Sequence, residues 1–124
     1  MAKLPNRNIA TESKMKNTLK TRYDARAKII KAMAHPSRLL IIEELNKKEH
    51  CVGELTEMIG ADASTVSKHL SILKNAGLVN DDKRGNLIFY TLRVPCIMQF
   101  MSCVEDVISA NARQQNAILK CCRG

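Results

Sequence analysis

Ser64-Thr65-Val66-Ser67-Lys68-His69-Leu70-Ser71-Ile72-Leu73-Lys74-Asn75-Ala76-Gly77-Leu78-Val79 is the stretch whose reading decides the fold. Val66, Leu70 and Leu73 fall at i, i+4 and i+7, which places them on one apolar stripe of a helix. Asp62, just ahead, is an N-cap residue type, and Gly77 suits a left-handed stop. The rest of that helix carries Ser64, Thr65, Ser67, Lys68 and Ser71, with His69 beside them, and no acid occurs from Ala63 to Gly77. Small hydroxyls and a cation can approach phosphates and base edges, where a carboxylate would be repelled. Lys68 and Lys74 are expected to stand unopposed there. A solvated helix with ordinary caps carries the same pattern, so the neighbouring segments decide.

Upstream, Val52 to Ile59 reads as a short helix ending at Gly60, and Gly60-Ala61-Asp62 joins it to the first. Before it, Pro36 opens a helix reaching about residue 46, with Leu39, Leu40, Ile42 and Leu45 facing inward. His35-Pro36 separates this from a helix of about Arg22 to Ala34, which has Ile29, Ile30 and Met33 on one side. Downstream, Leu78-Val79 and Leu87 to Leu92 read as two strands, with a turn at Gly85-Asn86 and Lys83 and Arg84 near the tip. Pro95 then suits the first turn of a long last helix reaching about Leu119. The result is mainly α with a small β-hairpin. Two short helices with a tight joint, followed by a basic hairpin, describe a winged helix-turn-helix. In that arrangement the second helix enters the major groove and the hairpin reaches a flanking groove or the backbone.

Composition agrees with a single domain. The chain has 124 residues and a formal net charge of +8. Nine of its basic residues and only two acids lie between Met1 and Lys31, while the remainder is nearly neutral. Residues 1–20 therefore read as a flexible basic arm, 21–119 as the domain, and 120–124 as a flexible cysteine-containing tail. A polyanion partner and plain solvation both account for the arm. Aromatic residues are 3% of the chain, which argues against folds that stack single-stranded bases on several rings. No apolar run approaches the roughly 18 residues needed to span a bilayer, and no signal-peptide core opens the chain. A cytoplasmic protein with no membrane role is expected. No phosphate-binding loop, paired-carboxylate cleft or nucleophile–base set points to an enzyme.

Several strings together resemble one family. They are His35-Pro36-Ser37-Arg38-Leu39-Leu40-Ile41-Ile42, Cys51-Val52-Gly53-Glu54-Leu55, the stretch from Ser64 to Val79, Lys83-Arg84-Gly85 and Phe89-Tyr90-Thr91-Leu92. Over about residues 22 to 110 the chain resembles the ArsR/SmtB transcriptional repressors. The resemblance implies a homodimer that binds a palindromic operator in double-stranded DNA and leaves it when an inducer binds, typically a metal ion or metalloid. By that resemblance Ser64, Thr65, Ser67, Lys68, His69 and Ser71 lie on the DNA-reading helix, and Arg84 lies on the wing. It also implies a dimer built from the first and last helices, which suits the stripe of Ile97, Phe100, Met101, Val104, Val107 and Ile108.

The five cysteines bear on the inducer. In a cytoplasmic setting structural disulfides are unexpected. Cys51 stands where the family's metal sensors often carry a Cys-x-Cys pair, but Gly53 occupies the second position here. The family's zinc site of paired Asp and His on the last helix is missing, since Asp106 has no helical histidine partner. Cys96 and Cys103, seven apart, stand roughly 10.5 Å apart along one helix face, too far to share one ion through thiolate bonds of about 2.3 Å. Either would need Cys51, a tail cysteine or a second protomer. Both also fit a dimer seam as small hydrophobes. Cys121-Cys122 would suit a soft ion such as As(III), and His50 would add a nitrogen ligand beside Cys51. The expected inducer is thus As(III), or another thiophilic ion, on Cys51, Cys96 and Cys103, with no metal needed for folding. A thiol-oxidation or persulfide switch and a winged-helix protein-interaction module remain alternatives.

Overall fold

The structure, a computed structural model, describes the backbone of residues 9–123 and the side chains of residues 16–119. Five helices and three strands follow in the order α1 (Ile9–Met33), α2 (Pro36–Lys47), β1 (His50–Cys51), α3 (Val52–Ile59), α4 (Ala63–Asn75), β2 (Val79–Arg84), β3 (Leu87–Leu92) and α5 (Ile97–Arg123).

The core is where the central helices meet the root of the hairpin. Val66, Leu70 and Leu73 of α4 are fully buried, with Ile41, Ile42 and Leu45 of α2, Leu55 of α3, and Leu78, Val79 and Tyr90 beside the sheet. Burying each such aliphatic side chain is worth roughly 1.5–3 kcal/mol, so packing fixes α4 in place and leaves its outer side free for another task. Ile41 takes the inward place expected for Leu40, while Leu39 packs at the rim. Among the described side chains of α1, Ala32 and Met33 reach the core, and Ile29 and Ile30 are exposed.

Three elements differ from the sequence reading. The stretch read as a basic arm is helical from Ile9 onward, well before Arg22. It lacks a sustained apolar stripe, but Ala10, Glu12, Lys14, Lys16, Leu19 and Lys20 are strong helix formers, and their propensity carries the helix. The first hairpin strand continues to Arg84, because Leu87 to Thr91 supply a partner for every residue from Asn80 onward. Only Gly85-Asn86 remains as turn, with Gly85 at φ 62°. The third difference is β1, two residues too short to show periodicity. It pairs antiparallel with β3, His50 opposite Tyr90 and Cys51 opposite Phe89, so the sheet order is β1-β3-β2.

Candidate nucleic-acid interface

The helix-turn-helix is built from caps. α3 ends at Gly60, whose φ of 76° is the left-handed conformation that turns the chain toward α4. Asp62 then caps α4, its Oδ1 accepting from the Thr65 amide at 2.8 Å and from Ser64 Oγ at 3.3 Å. Those hydrogen bonds, the Thr65 one foremost, hold the Asp62 carboxyl below its ordinary range, so the cap is ionised at neutral pH. Gly77, at φ 83°, closes the exit from α4 and its carbonyl accepts from Arg93 Nη1 at 3.4 Å.

Ser64, Thr65, Ser67, Lys68 and Ser71 are all exposed along α4. Together they form the uninterrupted polar surface expected of a groove-reading helix. His69 does not join them. It is 8% exposed, its Nδ1 accepts from Arg38 Nε at 3.1 Å, and its ring lies 4.5 Å from that of His35. Five residues past Ser64 is about 140° around a helix, which turns His69 toward α2. A sequence signal for this exists, since His69 is three after Val66 and four before Leu73, within the apolar stripe.

The expected cations also behave differently. Lys74 is opposed after all, donating to Asp81 Oδ2 on β2 at 2.8 Å, and that contact raises its pKa. Arg84 is held more firmly. Nη1 and Nη2 donate to the two carboxylate oxygens of Glu49 at 2.8 Å each, Nε donates to Asp82 Oδ2 at 2.9 Å, and the guanidinium carbon lies 4.7 Å from the centre of the Phe89 ring. The Arg84 hydrogen bonds hold the Glu49 carboxyl below its usual range. Lys68 and Lys83 have no ion-pair partner among the described residues. Sequence reasoning placed the cations and missed Glu49, Asp81 and Asp82 as their partners.

Cys51, Cys96 and Cys103 do not form a cluster within one chain. Cys51, the residue before α3, donates to Glu54 Oε1 at 3.4 Å. Its neighbour His50 is buried, with Nδ1 2.8 Å from Glu54 Oε2, while its Nε2 is buried without a hydrogen bond and 4.0 Å from Glu44 Oε2. His50 is thus a core residue of the sheet. Cys96, in the turn before α5, and Cys103 on α5 are both exposed and free. Among the described residues no three His, Cys, Asp or Glu side chains form a group able to hold a metal ion. Cys51, Cys96 and Cys103 of a single protomer therefore do not make such a group. The side chains of Cys121 and Cys122 lie outside the described residues.

One further surface is unsatisfied. Leu19, Tyr23, Ile29 and Ile30 on α1, and Phe100, Val104, Val107, Ile108, Ile118 and Leu119 on α5, are all exposed. Ile97 and Met101, the other members of the expected stripe, pack partly against the core. No helix of the described residues is long and apolar enough to cross a membrane.

A capped helix-turn-helix with a polar, acid-free second helix, flanked by a two-stranded wing on a short third strand, defines a winged helix-turn-helix regulator. Residues 35–81 match the bacterial regulatory protein arsR family. The chain is 30% identical over 99 residues to the HTH-type transcriptional regulator Rv0081 of Mycobacterium tuberculosis, covering 79% of this chain and 87% of that protein. The crystal structure of Rv0081 superposes with a TM-score of 0.67, over 75% of this chain and 94% of that one. The biofilm growth-associated repressor of Xylella fastidiosa is 31% identical over 88 residues, covering 71% of this chain and 77% of that protein. The homodimeric winged helix-turn-helix DNA-binding domain of Mb0332 from Mycobacterium bovis is 26% identical, with a TM-score of 0.62 over 88% of this chain and 91% of that one. The chain belongs to the ArsR family of transcriptional regulators and is not an enzyme.

Proposed function

We propose that this regulator is a repressor that acts as a homodimer on an operator in double-stranded DNA. α4 enters the major groove and the β2–β3 wing lies along the flanking backbone. The observation that carries the reading is the outer side of α4, where Ser64, Thr65, Ser67, Lys68 and Ser71 are exposed and no acid intervenes. The apolar sides of α1 and α5 support the dimer, because they leave large side chains in water that a second copy would cover. The test is fluorescence anisotropy with the fragment upstream of its own gene and with random duplex, across a salt series. Specific binding above a salt-dependent non-specific background is expected. No binding to either duplex at low salt would overturn the reading and favour a protein-interaction module.

For the inducer, the reading is thiol chemistry, with As(III) first and oxidation or persulfide formation second. Exposed Cys96 and Cys103 support it. Since Cys51, Cys96 and Cys103 of one protomer form no group able to hold a metal ion, the set would be completed across the dimer or from the tail. Cys51→Ser, Cys96→Ser and Cys103→Ser variants should separate these arrangements in the release of DNA by As(III), Cd(II) or polysulfide. Retention of release in all three would sink the thiol reading for these positions.

A further inference from the structure

The residue on α4 that the groove-reading surface leaves out is a titratable one, and its surroundings are of a single sign. His69 is buried against the corner between α1 and α2. Its Nδ1 accepts from Arg38 Nε at 3.1 Å, so its own ring proton sits on Nε2 and the imidazole is neutral. Arg38 in turn donates from Nη1 to the carbonyl of Ala32 at 3.4 Å, at the end of α1. The His35 ring packs on His69 at 4.5 Å, and His35 is itself held by its N-cap hydrogen bond, accepting from the Ser37 amide at 3.1 Å. The charged or titratable groups around His69 are His35, Arg38 and Lys68, and Lys28 and Lys31 join Arg38 in the adjoining cleft. None of them is acidic.

We propose that His69 is a positioning residue for DNA binding: its neutral imidazole ties α4 through Arg38 to α1 and α2, and its protonation releases that tie and loosens α4. This rests on α4 being the DNA-reading helix. A protonated Nδ1 cannot accept from Arg38, and the new cation would face only cations. Burial first, then His35, Arg38 and Lys68, lower the pKa of His69. The sign follows. Above about pH 6.5 His69 is neutral in folded and unfolded chains alike, whereas below it the unfolded chain binds a proton that the native state resists. Stability and α4 order are therefore lost as pH falls below that value, about tenfold in equilibrium constant per pH unit until the native pKa is reached.

The experiment compares the full chain with His69→Gln, which keeps an acceptor for Arg38 but does not titrate. Two readouts are followed from pH 8 to 5. One is the exchange protection of α4 amides without DNA, corrected for the intrinsic pH dependence of exchange. The other is affinity for the upstream duplex at fixed salt. With each protein referred to its own value at pH 8, the parent should lose several-fold more than His69→Gln in both readouts below pH 6.5. Arg38→Met should lower α4 protection at pH 8 and flatten its dependence on pH. Parallel profiles of the parent and His69→Gln in the exchange arm would overturn the proposal. Because that arm needs no DNA, failure of both proteins to bind duplex would count against the DNA reading alone.

Discussion

At the scale of single residues, the interface differs from its sequence pattern in where charge is free. Lys68 projects from α4 with no ion-pair partner among the described residues, while Arg84 is paired with Glu49 and Asp82. Lys68→Ala should therefore weaken binding to all duplexes alike and reduce the salt slope by about one unit per protomer. Glu49→Gln should have the opposite effect, freeing part of the Arg84 charge and tightening non-specific binding several-fold at low salt. Anisotropy titrations at three salt concentrations measure both, and an unchanged slope in Glu49→Gln would show the Arg84 pairs to be irrelevant to the wing. Of the seven residues expected to face DNA, Ser64, Thr65, Ser67, Lys68 and Ser71 are exposed on α4, and the stripe of Val66, Leu70 and Leu73 makes that legible, because helical period alone turns them outward. Arg84 was placed on the wing correctly, but Glu49 is 35 residues away, and a bidentate pair over that separation leaves no local mark. His69 was misplaced because residue type outweighed its angular position.

At the scale of elements, caps set the boundaries and account for most of what could be read in advance. Gly60, Asp62, Gly77 and Gly85 each announce a change of direction, and α3, α4 and the hairpin follow them closely. β1 and the early start of α1 were not legible. The first borrows its hydrogen bonds from β3, and the second depends on propensity without a stripe. Gly77→Ala should be costly, since a left-handed conformation costs an L-residue about 1–2 kcal/mol and its Cβ would stand 3.0 Å from Arg93 Nη1. Thermal unfolding measures this. Gly85→Ala has open space for its Cβ and carries the backbone term alone, so it should be milder. Asp62→Ala should lower Tm by a few degrees at pH 7 through loss of the cap. Its effect should vanish in acid, as falling pH protonates the parent's carboxylate below its ordinary 3.8.

At the scale of the whole molecule, the domain is well packed around α4 and open along α1 and α5. Val107, at 58% exposure, stands in the middle of the uncovered stripe of α5. Val107→Glu should leave the monomer folded, shift sedimentation toward a single copy, and lower operator affinity far more than affinity for a half-site. A variant that still sediments as a dimer would place the interface elsewhere. In the proposed dimer the two copies of α4 would reach successive turns of one DNA face, about 34 Å apart, which a fixed pairing of copies would hold.

The short strand β1 gives the wing a mechanical character. The hairpin has six-residue strands, and β1 grips β3 at its middle through the pairs His50–Tyr90 and Cys51–Phe89. Beyond that grip only about 7 Å of β3 runs on to the turn, so a tilt of about 10° there would swing the far end by about 1 Å. Cys51 sits in that grip directly opposite Phe89, the ring on which Arg84 rests, so β1 braces the wing close to its tip.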